Sequence, residues 1–402
     1  MIEENPKGIR KADIIVGIPS YNEADCIGFT TKQVAQGLKL YFSEYKCAII
    51  NCDNCSTDET KEAFLNTLTD IPKIYISTPP GIKGKGNNLR NLFYKARELE
   101  AKAIVVVDAD LKSITPKWIK NFVEPILNNF AFVTPLYVRH KYDGTITNNI
   151  AYPLTRALYG RRIRQPIGGD FAFSDEMLRI YIEGRYWTEM VGQFGIDIWM
   201  TTLAINEGLP ICQSFMGRPK IHRQKDPARM LGTMFSQVIG TIFDLMSQFA
   251  KNWNEVKWSK PTAIYGFGLG ETELPPPVNI NEGALYTGFL NGFEEYASIW
   301  EEALYEPNFH KLKEIKTFSI EKFDFPTELW AKILYDFAIA YKQKTLDRYR
   351  LLNALIPLYF GKVLSYVKKT RRLSIQEAEE FIENECVIFE KVKPYLIKKW
   401  VE

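Results

Sequence analysis

Five short apolar runs within the first 140 residues restrict the fold more than any other feature of the chain. They are ADIIVGIPS (12–20), KCAIINC (46–52), KIYIS (73–77), AIVVVDA (103–109) and AFVTPLYV (131–138). Between them lie segments of helical spacing: CIGFTTKQVAQGLKLYF (26–42), STDETKEAFLNTL (56–68) behind a Ser/Thr/Asp cap, a stretch over 87–100, and another opened by Pro116. Strands this apolar have no face to offer water. They need helices on both sides, so repeated βαβ units around a mostly parallel sheet are expected, an α/β, Rossmann-like architecture.

At 402 residues the chain exceeds one comfortable core. The expected division is 1–226 for the α/β domain and 227–402 for a helical C-terminal region, broken by the Gly- and Pro-rich linker GFGLGETELPPPVNINEG at 266–283. The helical part would cap the first part and a second subunit, which predicts a homodimer. A net charge of +3 gives no reason to expect a nucleic-acid partner. The best membrane candidate, VIGTIFDLMSQFA (238–250), is too short and carries Asp244, so no membrane span is expected. The N-terminus lacks the pattern of a signal peptide, which makes the cytoplasm the default compartment. Cys52 and Cys55 form a single C-x-x-C with no second pair, which favours free thiols over a zinc or redox site.

In open α/β sheets, ligands sit beyond the carboxyl ends of the strands. The fourth run, IVVVDADLKS (104–113), ends there on Asp108 and Asp110, two positions apart. Both can address one hard cation such as Mg²⁺ or Mn²⁺, which would hold a diphosphate; helix capping and solvation are the alternative use. The other strand ends are also polar. The first offers Tyr21, Asn22 and Glu23 for a base or ribose, and the second Asp53, Ser56 and Asp58. The third offers Gly84 and Gly86, for close backbone approach to a phosphate, with Lys85 between them.

IPSYNEADCI, CDNCSTDET, GKGNNLR and VVVDADL, in that order, resemble the nucleotide-sugar half of a GT-A glycosyltransferase. RQPIGGDFAFS, FGIDIWMTTLAINEG and KIHRQKDPARMLGTMFSQVI are similar to segments of the glucosyl-3-phosphoglycerate, glucosylglycerate and mannosylglycerate synthases. The resemblance implies a metal-dependent retaining hexosyltransferase. Such an enzyme moves a hexose, glucose in the first place, from a nucleoside diphosphate to the 2-hydroxyl of D-glycerate or 3-phosphoglycerate in compatible-solute synthesis. It implies Asp110 and His222 as metal ligands with Asp108 beside them, and Mg²⁺ or Mn²⁺ as cofactor. Pro19, Tyr21, Glu23, Asp53, Ser56, Lys85, Asp108, Ala109, Gly168 and Gly169 would bind the donor, with Asp170 and Asp197 as the active-site carboxylates.

Gly144, Thr145, Thr147, Arg223 and Gln224 would face the acceptor. Phosphoglycerate-using relatives carry a G-R-x-T pattern where this chain reads Gly144-Thr145-Ile146-Thr147, and the lost arginine tilts the reading towards D-glycerate unless Arg139, Lys141 or Arg161 replaces it. Three rivals stand beside this reading. They are a mannosylglycerate-type synthase using GDP-mannose, a polyprenyl-phosphate or glycolipid transferase with 351–372 as a basic amphipathic surface, and a silent sugar-nucleotide sensor.

Overall fold

The computed structural model describes residues 2–222, 227–266 and 273–401, with the side chains of 227–231 excepted. An unpredicted short strand, β1 (Ile2–Glu4), comes first, and the next elements alternate as the apolar runs predict: β2 (Ile14–Ser20), α1 (Ile27–Tyr41), β3 (Cys47–Asp53), α2 (Thr60–Asn66), β4 (Lys73–Ser77), α3 (Lys85–Glu98), β5 (Ala103–Val106), α4 (Pro116–Leu127) and β6 (Phe132–Val138). Then follow α5 (Tyr152–Tyr159), β7 (Arg161–Arg162), β8 (Phe171–Ser174), α6 (Asp175–Glu183), α7 (Ile196–Asn206), β9 (Ile211–Pro219), α8 (Pro227–Gln248), α9 (Ala250–Glu255), β10 (Lys260–Pro261) and β11 (Ala263–Tyr265). The remainder is α10 (Glu282–Ala303), α11 (Glu306–Lys316), α12 (Thr327–Gln343), α13 (Arg348–Thr370) and α14 (Ile375–Val401).

The chain forms two compact units: residues 1–138, 163–225 and 262–275, and residues 139–162, 226–261 and 276–402. The first is built on a nine-stranded sheet in the order β1-β4-β3-β2-β5-β8-β6-β9-β11. Only β1 and β8 run antiparallel to their neighbours. Every residue of β2, β3 and β5 is buried, as strands covered on both faces must be. A Cβ on Gly17 would lie 2.2 Å from Leu92 of α3, so that glycine lets the helix sit close against the sheet. The second unit is a helical bundle around such buried side chains as Trp300, Trp330, Tyr335 and Leu355.

Two local expectations change, and a strand that the sequence did not predict joins the sheet. Helix α2 begins at Thr60, not at Ser56, because Ser56 binds Asp53 and Asp58 binds the backbone of Ala24 and Thr60. Strand β5 stops at Val106, which leaves Asp108 just past its end. Strand β8 enters the sheet against the direction of β5, with Val106 opposite Phe171. The six cysteines are free thiols.

Candidate active site

Strands β2, β3, β4, β5, β6 and β9 point one way, so their carboxyl ends share one edge of the sheet. Because β8 runs the other way, the residue preceding it, Asp170, reaches that same edge. There Asp170 Oδ1 accepts the backbone N–H of Asp108 at 2.8 Å. Asp170 is fully buried, and it also accepts the Tyr137 hydroxyl. It therefore acts on anything outside only through its neighbours.

Two ammonium groups sit on the Asp108 carboxylate. Lys85 Nζ lies 3.0 Å from Oδ1 and Lys220 Nζ 2.7 Å from Oδ2. Lys85 also reaches Asp197 Oδ1 at 3.2 Å and donates to the Gly169 carbonyl at 3.1 Å. Lys220 also reaches Asp170 Oδ2 at 3.0 Å and donates to the Gly168 carbonyl at 2.9 Å. A Cβ on Gly169, whose φ is +86°, would lie 2.6 Å from Asp108 Oδ2 and 2.7 Å from Lys220 Nζ. The glycine thus admits the ion pair.

Burial opposes charge on Asp108, yet Lys220 and Lys85 hold its carboxyl well below the usual range. Burial raises the carboxyls of Asp197 and Asp170, only partly offset by the lysines. Burial would lower both ammonium groups, but the carboxylates, Asp108 foremost, hold Lys85 and Lys220 above the ordinary lysine value. Such a desolvated network of opposite charges beside a strand end is what electrostatic stabilisation of a developing charge requires.

A short antiparallel bridge pairs Leu111 with His222, and Lys112 N–H donates to the Ile221 carbonyl at 2.7 Å. His222 is thereby brought beside the D-x-D turn, with its side chain exposed; Asp110 is almost buried at 7% exposure. One carboxylate and one imidazole flanking a chain turn form a donor set that fits Mg²⁺ or Mn²⁺ with remaining positions open to a diphosphate and water.

The nucleoside side is assembled from the ends of β2 and β3. Asp53 is buried and accepts from Ser20 Oγ, Ser56 N–H, Ser56 Oγ and Tyr75 OH, so it shapes the turn. Ser56 Oγ in turn accepts the Asn22 N–H at 2.8 Å, which joins the two strand ends. Pro19 lies within β2 opposite Cys52, Glu23 is buried with its N–H on Thr60, and Tyr21 is half exposed. The glycines at 84 and 86 serve a different purpose from the expected phosphate approach. A Cβ on Gly86 would lie 1.9 Å from the Val191 carbonyl, and the N–H groups of Gly86 and Asn87 donate to the carbonyls of Gln193 and Gly192. The first turn of α3 is docked on the 191–193 loop, and only Lys85 projects towards the carboxylates.

Gly144, Thr145 and Thr147 belong to the helical unit. Thr145 Oγ1 shares a 2.6 Å hydrogen bond with Tyr359 OH. Lys141 donates to the carbonyls of Thr370, Arg371 and Leu373, capping α13, so it is committed to structure. Arg139 packs on Gly144, where a Cβ would lie 2.4 Å from its Nη1. Arg223 and Gln224 lie outside the described residues. In the segment 351–372, fifteen residues of α13 are buried, while Lys369 pairs with Asp324 and Arg371 with Glu282. Most of that segment is therefore core, and among the described residues no helix is long and apolar enough to cross a membrane.

Sequence reasoning missed Lys220 and Tyr137. The signal for Lys220 was the strand-end rule itself: β9 is a parallel strand ending at Pro219, and Lys220 is the next residue.

The family model for "Glycosyl transferase family 2" matches residues 15–181. Mannosylglycerate synthase of Rhodothermus marinus is 24% identical over 215 residues, 49% of this chain and 53% of that protein, so the chain spans about half the length of this curated relative. Among solved structures, glucosyl-3-phosphoglycerate synthase from Mycobacterium tuberculosis with Mn²⁺, uridine diphosphate and phosphoglyceric acid is 23% identical, over 58% of this chain and 78% of that one, with a TM-score of 0.46. The same enzyme with Mg²⁺ and uridine diphosphate is 23% identical over 59% and 80%, with a TM-score of 0.48. Residues 15–181 therefore match glycosyl transferase family 2 over less than half of the chain, and a 215-residue stretch is similar to a mannosylglycerate synthase.

Proposed function

We propose that the protein is a metal-dependent retaining glycosyltransferase that moves a hexose, glucose in the first place, from a nucleoside diphosphate to the 2-hydroxyl of a glycerate-type acceptor. The observation that carries this reading is the convergence of Lys85, Asp108, Asp170, Asp197 and Lys220, from separate elements, beside the D-x-D turn. The names of the similar proteins, which act on mannosylglycerate and glucosyl-3-phosphoglycerate chemistry, support the acceptor class.

Asp110 and His222 would hold the dication, which when bound would supply positive charge to a leaving diphosphate. Lys85 already uses three acceptors, and a diphosphate oxygen would take the place of one of them. In the transfer, the sugar C1–O bond to phosphate breaks, the bond from C1 to the acceptor O2 forms on the same face, and the hydroxyl proton passes to the departing phosphate oxygen. Asp197, 13% exposed and paired with Lys85, would orient the sugar and balance positive charge at C1. Asp170 positions Asp108. With Thr145 bonded to Tyr359, no arginine stands at that place in the G-x-x-T segment, which supports D-glycerate ahead of 3-phosphoglycerate.

The test is nucleoside diphosphate release with Mg²⁺ or Mn²⁺ for UDP-glucose, GDP-glucose and GDP-mannose, each against D-glycerate, 3-phosphoglycerate and no acceptor. Release that requires a glycerate acceptor and stops with a chelator is expected. Binding of donor without release in any combination would overturn the reading in favour of a sensor.

A further inference from the structure

Two buried amides, Asn54 at 6% and Asn88 at 2% exposure, join the strand ends to the start of α3. Asn54 follows β3; its Oδ1 accepts the Gly84 N–H at 2.8 Å and its Nδ2 donates to Asn88 Oδ1. Asn88 Nδ2 donates to the Ser20 carbonyl at 3.2 Å, and the same carbonyl accepts the Asn54 N–H at 3.0 Å. Each amide therefore both accepts and donates, and a carboxylate in either place would set oxygen against oxygen. On the far side of the same turn, the 191–193 loop takes the N–H groups of Gly86 and Asn87, and a Cβ on Gly84 would lie 2.2 Å from the Gly192 carbonyl. The backbone that carries Lys85 is thus clamped from two sides. One clamp leads on to α7 and Asp197; the other leads to Ser20, whose hydroxyl donates to Asp53, the carboxylate that also holds Ser56.

We propose that Asn54 and Asn88 are positioning residues that fix the span from the Ser56 turn to the Lys85 ammonium, so that the site selects a nucleoside diphosphate over the monophosphate. A lysine is a point charge on a flexible stem, and it reads an outer phosphate at a set distance only if its backbone is held. Two buried amides make a stiff tether, because any bond lost between them leaves a buried polar group unpaired. With the tether cut, base and ribose still meet the Ser56 turn while Lys85 no longer meets the outer phosphate. This inference rests on the nucleotide-sugar reading above.

The test is isothermal titration calorimetry of the full chain with Mn²⁺ present, against UMP, UDP, GMP and GDP. The wild type is expected to bind the diphosphate of its preferred base about tenfold or more tightly than the monophosphate. Asn88→Ala should lose about tenfold for the diphosphate and keep the monophosphate within about twofold; in a Lys85→Ala background it should cost the diphosphate nothing further. General damage to the turn would weaken both nucleotides alike, and that result overturns the inference, as does an additive loss in the double variant. Should Asn88→Ala fail to fold, Asn54→Ser decides by the same comparison. A wild type that binds monophosphate and diphosphate equally also overturns the inference, since there is then no span to set. A wild type that binds none of the four overturns the nucleotide-sugar reading itself.

Discussion

At the residue scale, the glycine and aspartate at 169 and 170 show how a short motif is fixed by what it must admit. Gly169→Ala would require a side chain at positive φ and would press on Asp108 and Lys220, so a loss of about 1–3 kcal/mol in chemical denaturation is expected, together with weaker donor binding. An unchanged denaturation midpoint would show that the pair can shift at no cost. Asp197→Asn should keep the fold and lower kcat by about 10²-fold with a smaller change in donor KM. A raised donor KM with kcat unchanged would assign Asp197 to binding alone. The aspartates of the strand ends were legible because polar residues that close a buried strand are few. The role of Asp53 was not, since four local donors claim it and a sequence carries no sign of them. Gly84 and Gly86 were legible as glycines that must be glycines, but their cause is the 191–193 loop, distant in sequence.

At the element scale, the parallel strands were read nearly to their ends because their burial on both faces makes them continuous apolar runs. Strands β8 and β9 were not: FAFS and ICQSFMGRP are short or mixed, and their place depends on partners far away in the chain. Missing β9 meant missing Lys220. In the helical unit, Lys393 of α14 is buried and donates to the carbonyls of Leu158 and Val256. Burial pushes its ammonium down to about 8 from the ordinary 10.5, with Glu390 opposing. The folded state therefore binds fewer protons than the unfolded one between pH 8 and 10.5, and stability rises with pH across that window and is lost as pH falls towards 8. Lys393→Met should remove this rise, which the shift makes worth about 3 kcal/mol. Parallel stability curves for the two proteins between neutral and alkaline pH would contradict the assignment.

At the scale of the whole molecule, neither unit is one continuous stretch. Residues 139–162 group with the helical unit, and β11, far along the chain, joins the sheet beside β9. A fragment of residues 1–226 would lack β11 and would expose Ile150, Leu154 and Leu158, which are buried in the full chain. It is expected to aggregate at concentrations where the full chain remains monodisperse by light scattering; a well-behaved fragment would show that the first unit needs neither. Retaining transfer to a glycerate hydroxyl fixes both the anomer and the carbon that carries the sugar, and proton and carbon NMR of the product reads both. With an α-linked donor sugar, D-glycerate and Mn²⁺ or Mg²⁺, one product is expected, an α-hexoside on C2 of glycerate, with nucleoside diphosphate released in equal amount. A β-linked product would contradict retention, and free hexose or a sugar on any other acceptor alone would contradict the assignment of the acceptor.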